Sequence, residues 1–342
     1  MQVASSTNLG VLWIGVSAAT VFCVFCDTRV DGSTAAEREL TAAVTSDGFA
    51  VLDGVPSDRH AIVVDRDGGN TRRLAIPVVA ADARLVGAWS GISVGWRDSD
   101  KVRYAQVAGD GELGKASVWG KKVVALCEGL ASNEHEWGIG WREKDGRIWV
   151  LHGPTERKER AAGAGGMLET PAAATEWCGV TNAGTDMMLM WRDDTGRMFM
   201  NQCNAKRCES KVDRLPVDHK HQYLGLACVQ KECLVAARGD SGETLLTWVN
   251  PKRKVTWTVR ISDALPDTDV ALVAAGDKAF AVAYVGREGA AVQRVISTGS
   301  MVRAWADPHA TATPALAWAG DRLLVAHRHG DHVAPEIVQL PR

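Results

Sequence analysis

A tripeptide that returns constrains this chain most. Trp96-Arg97-Asp98, Trp141-Arg142-Glu143 and Trp191-Arg192-Asp193 each follow a short apolar run and precede a turn, at intervals of 45 and 50 residues. Self-similarity at such a period marks a repeat architecture, in which each unit hides its apolar face only by stacking on the next. The chain has 342 residues. That exceeds what one ordinary core fills and suits two domains or one large repeat fold.

Strand and turn signals dominate from about residue 35 onward. The clearest unit reads as strands at 123–128, 137–142 and 147–152 and a fourth near 157–161, with Lys144-Asp145-Gly146 as a hairpin turn. The next unit repeats this at 175–180, 187–192, 197–203 and 209–215, around Asp194-Thr195-Gly196. The template slides forward over 224–261, 270–306 and 314–340, and backward over 84–119 and 49–76. Thirty-four Gly and eleven Pro suit so many turns.

In this register the tryptophan column continues as Asp65, Ala237, Tyr284 and His327. The column after it holds Arg66, Arg97, Arg142, Arg192, Arg238 and Arg328, and only Val285 breaks it. One spacing is out of line: Asp65 and Trp96 are only 31 residues apart. The last unit shows three strands, and residues 37–44, just before the first unit, are a candidate donor for its fourth.

Seven units of about four strands predict an all-β fold: a seven-bladed β-propeller of four-stranded blades, the last blade completed by an N-terminal strand. Over about residues 35–342 the chain resembles the seven-bladed β-propeller superfamily in general. There is no Gly-His…Trp-Asp pairing of the WD type, no kelch double glycine and no full sialidase box. The resemblance therefore implies a fold and transfers no functional residues.

The N-terminus stands apart. Residues 9–26 carry no charge, and charge returns at Asp27 and Arg29. Residues 1–33 are expected to be an export signal or membrane anchor, ahead of a propeller spanning 34–342. A competing reading makes this run a repeat strand with Trp13 in the tryptophan column. A net charge of −2 gives no global attraction to nucleic acid.

Eight cysteines bear on the compartment. Cys203 and Cys208, and likewise Cys228 and Cys233, sit at the two ends of short hairpin connections, where a disulfide can span paired strands. Two such staples favour an oxidising compartment, hence an exported protein in the periplasm, at the cell surface or outside the cell. Cys127 and Cys178 occupy matching first strands of neighbouring units, either facing each other or as free thiols. A zinc site built from the four residues between 203 and 233 is the alternative, at a spacing looser than structural zinc prefers.

Two histidine groups stand out. His219 and His221 lie in a polar connection. His327, His329 and His332, with Asp331, lie across the last hairpin and could hold a divalent metal; no other cofactor is expected. Each Trp of the triplets shares a strand face with the acid two places on. Trp96, Trp141 and Trp191 are therefore either sugar-stacking residues or wedges between blades, and the large apolar area of Trp favours the wedge. Gly91-Ile92-Ser93-Val94-Gly95 matches G-x-S-x-G but runs straight through a strand, whereas a nucleophile elbow needs a strand-to-helix turn. Catalytic residues are not assigned.

These features point to an exported propeller that binds an unknown protein or glycan, with membrane association at its N-terminus. The alternatives are a glycan-processing hydrolase with an axial site and a structural component of an envelope assembly. Fold alone does not separate them.

Overall fold

The computed structural model describes residues 40–341 except 46, 56, 79, 81, 89–90, 128–130, 133–135, 155–165, 170–174, 184–185, 205–206, 218–221 and 277. Residues 1–33, with Trp13, Cys23 and Cys26, lie outside the described residues, as do His219 and His221. Leu40–Arg342 is one compact unit.

Within it, seven antiparallel sheets follow one another along the chain, at 41–75, 84–119, 123–169, 175–215, 222–260, 270–307 and 315–338. Strand order in each sheet follows chain order, except that in blade three Val123–Leu126 and Ala131–Ser132 both pair with Glu136–Glu143. The first strands of neighbouring sheets touch all the way round, blade seven meeting blade one. This is the seven-bladed propeller that the repeat predicts.

Burial explains the residue pattern. The second strand of a blade lies between two neighbouring blades, so both of its faces are covered. It accordingly reads as a continuous apolar run, as in Asp186–Asp193 and Ala279–Gly286. An outer strand has one wet face and alternates: Val255–Arg260 is half-buried and exposed by turns. The apolar cores therefore lie in the seams. One joins Val102 of blade two to Val123, Ile139 and Trp141 of blade three. The next joins Ile148 and Val150 of blade three to Val180, Leu189 and Trp191 of blade four.

Three expectations are corrected. Thr41–Val44 pairs with Gly48–Val55 and is the inner strand of blade one, not the closing strand of blade seven. A local hairpin forms with far less loop-closure entropy than a pairing across the whole chain. Among the described residues blade seven has three strands, Ala315–Ala319, Arg322–His329 and His332–Val338, and nothing pairs with the outer edge of the last.

The second correction follows from the first. Gly48–Val55 is a second strand, so the repeat column in blade one is Asp53, 43 residues before Trp96, and not Asp65. Pairing confirms the register. Asp53 faces His60 three positions before a two-residue turn, as Trp96 faces Arg103 and His327 faces Ala334. Arg66 thereby leaves the arginine column. Third, Gly166–Glu169 pairs with Ile148–Pro154 as the outer strand of blade three, while residues 157–161, expected in that place, lie outside the described residues. Arg147 Nη1 bonds Glu169 Oε1 at 3.1 Å across that edge.

Side chains close the ring. Val44, Phe49, Val51 and Ile62 of blade one share a core with Ala315, Ala317, Leu324 and Ala326 of blade seven. Arg328 of blade seven donates to Asp53 of blade one, the two side chains being 11% and 5% exposed. Removing one partner of a buried pair strands the other charge. Asp53→Asn should thus lower the unfolding free energy by about 3–5 kcal/mol in denaturant titration. Asp53→Leu combined with Arg328→Met should recover most of that. A single-variant loss below ~1 kcal/mol, typical of a surface pair, would show that this pair does not hold the seam.

Candidate functional site

The repeat column lies near the turns joining the second and third strands, and adjacent residues there point to opposite faces. The column residue reaches back to the preceding blade. Trp141 (0% exposed) fills the seam to blade two, and Trp191 (2%) the seam to blade three. Trp96, half-buried, packs on the core between blades one and two. Gly120, at φ +73°, shows how tight the wedge is: a Cβ there would meet Trp141 Nε1 at 2.9 Å. The buried indoles of Trp141 and Trp191 present no stacking face to a sugar. The arginines reach forward. Arg97 Nη1 donates to the Val124 carbonyl of blade three at 2.7 Å, and Arg238 Nη2 to that of Asp267 before blade six at 2.9 Å.

The third residue of the triplet closes the turn. Asp193 accepts from the Thr195 hydroxyl (2.7 Å), the Arg197 amide (2.9 Å) and Arg197 Nε (2.8 Å). Burial pushes its carboxyl up, but these hydrogen bonds outweigh that and hold its pKa at about 2. Two triplet positions have other chemistry. In blade six the column residue is Tyr284, whose hydroxyl donates to Asp263 at 2.8 Å. Burial first, and Asp263 second, push that phenol well above the usual tyrosine range.

Blade seven reads His327-Arg328-His329. Both histidines converge on Asp307, the last residue of the outer strand of blade six: Oδ2 lies 3.0 Å from His327 Nδ1 and 2.6 Å from His329 Nε2. His327 Nε2 lies 2.8 Å from Glu336 Oε1, and Trp305 Nε1 donates to Glu336 Oε2 at 2.9 Å. Burial raises the Asp307 carboxyl, yet the His309 amide and the neighbouring histidines leave it below the usual carboxylate range. Of the expected metal set, His327 and His329 belong to this group, while His332 and Asp331 do not and Asp307 does. Asp307 comes from the neighbouring blade, so spacing within the hairpin could not reveal it.

The cysteines pair as Cys203–Cys208, Cys228–Cys233 and Cys127–Cys178. The first two staple hairpins, which removes them from a zinc site. The third joins blades three and four across 51 residues, a loop worth about 4 kcal/mol in the chain-entropy view. Ser93 is fully buried in mid-strand and accepts from the Tyr104 hydroxyl at 2.8 Å, so no nucleophile elbow forms.

A cleft of about 820 Å³ opens between blades one and two at the opposite end of the strands. Asp47, Asp65, Asn70 and Arg72 line it beside Val64 and Val107. Asn70 Nδ2 donates to Asp65 Oδ2 at 2.6 Å. Composition alone did not bring these residues together, because they belong to three different turns and strands.

No protein-family model matches the chain, and no curated protein matches it. Solved propellers do. The BP39L lectin from Burkholderia pseudomallei is 14% identical, with TM-score 0.61, over 89% of this chain and 98% of that one. BBS1N, solved in complex with ARL6DN, is 12% identical with TM-score 0.56, over 89% and 91%. The β-propeller domain of the Trilobed protease from Pyrococcus furiosus, described as having an open velcro topology, is 8% identical with TM-score 0.54, over 88% and 95%. At these identities the likeness is one of fold.

Two outcomes follow. Trp141→Ala should cost about 3–5 kcal/mol in equilibrium unfolding, the usual loss for emptying a buried aromatic site. His152 is 2% exposed with neither ring nitrogen hydrogen-bonded, and burial lowers its pKa. The unfolded chain takes up a proton near pH 6.5 that the folded chain refuses, so stability falls as pH drops below about 6.5. Thermal melts at pH 7.5 and 5 should differ less for His152→Leu than for the natural chain.

Proposed function

We propose that this chain is an exported binding propeller whose ligand, a glycan or an extended peptide, sits in the cleft between blades one and two. The cleft carries the reading. It is the size of a small-ligand site and combines apolar walls with a few convergent polar groups. Carboxylate, amide and guanidinium groups supply acceptors and donors for hydroxyls or peptide groups. Three disulfides support an oxidising compartment. The lectin likeness and the BBS1N complex support binding as a use of this architecture.

A glycan array and a peptide library, each followed by calorimetry, test this. Arg72→Ala and Asp65→Ala should each weaken the selected ligand by about 10-fold or more, the value of a hydrogen bond to a charged group. Unchanged affinity in both would remove the ligand from the cleft. Asp47 and Asp65 both line it, so turnover of a bound glycan, lost in Asp65→Ala, would instead make the protein a hydrolase.

A further inference from the structure

Asp307, His327 and His329 bring one carboxylate and two imidazoles together at the seam between blades six and seven. His327 Nε2 lies 2.8 Å from Glu336 Oε1, and in the tautomer that donates to Glu336 the Nδ1 lone pair is open to a metal ion. That lone pair faces Asp307 Oδ2 at 3.0 Å. Both atoms are buried, and Oδ2 also lies 2.6 Å from His329 Nε2. A shared cation, a proton or a metal ion, makes this contact attractive.

We propose that Asp307, His327 and His329 bind one divalent transition-metal ion of the zinc class. The three donor atoms lie within 4.8 Å of one another. A tetrahedral ion with bonds of about 2.0–2.1 Å holds its ligand atoms roughly 3.3 Å apart, so small side-chain shifts suffice. Two imidazoles and one carboxylate select a borderline ion over calcium or magnesium, which prefer oxygen ligands throughout. Glu336 orients His327 through the far ring nitrogen, and Trp305 fixes Glu336 in turn. This is the second-shell arrangement that metal-bound histidines use. The His327 and His329 ring centroids are 4.8 Å apart, as for two rings on one ion. His329 is 42% exposed, leaving the remaining coordination position to water. The ion spans the seam, since Asp307 ends blade six and the histidines belong to blade seven. The site stands independently of the ligand cleft.

The full chain, stripped with chelator, is titrated with zinc and with cobalt(II). The expected result is one ion per chain, a tetrahedral cobalt spectrum and a higher unfolding temperature with zinc. His329→Ala, at a half-exposed position that leaves the fold standing, should abolish the cobalt spectrum and the thermal shift. Glu336→Gln should weaken affinity about 10–100-fold. His332→Ala should bind as the natural chain does. A folded, stripped chain that takes up no zinc or cobalt overturns the proposal, as does uptake that survives His329→Ala.

Discussion

A ring of blades holds together only if every seam is filled, the last no less than the first. Here a single sequence position does that work. The column residue of each second strand reaches back against the preceding blade, and its chemistry follows what it meets. Trp141 and Trp191 meet apolar walls. Tyr284 meets Asp263, His327 meets Asp307, and Asp53 meets Arg328, each partner coming from the blade or linker before it. Arg97, Arg238 and Arg328, beside the column, face the other way and tie their blades to the next blade or the linker before it. Alternation along one strand thus stitches both neighbours.

This explains why so much of the fold was legible and where reading failed. Where the column is Trp-Arg-acid before a turn containing Gly, the period shows plainly. In blade one the same position is Asp53-Gly54-Val55, which carries none of those marks. Asp65-Arg66, one strand later, imitates it, and the register slips. Cys127 and Cys178 were legible as candidates to face each other, with free thiols as the open alternative, because matching first strands of adjacent units lie side by side; the disulfide decides it. Asp307 was not, because its partnership with the histidines depends on one blade's outer strand meeting the next blade's second strand. The outer strand of blade three hid in a glycine-rich stretch that offers little strand signal.

The two ends of the strands differ in kind. At one end the triplets, turn-closing acids and histidine junction are tied into the seams, so substitutions there fall on the scaffold. At the other end the turns of blades one and two stand apart around a polar cleft. Rigid seams supply the fixed walls against which loops can diversify.

The outer edge of His332–Val338, unpaired among the described residues, has a further consequence. An unpaired edge strand is a template for another chain. The turn between His329 and His332 has two residues, so hydrogen-bonded and non-bonded pairs alternate outward from that closing pair. By that count Pro335, opposite Ala326, occupies a non-bonded pair, and its nitrogen points away from the sheet. That nitrogen carries no hydrogen. An incoming strand would find a missing donor midway along the edge and the Glu336 charge beside it. Blade seven, whose edge is open among the described residues, thus makes that edge a poor nucleus for aggregation.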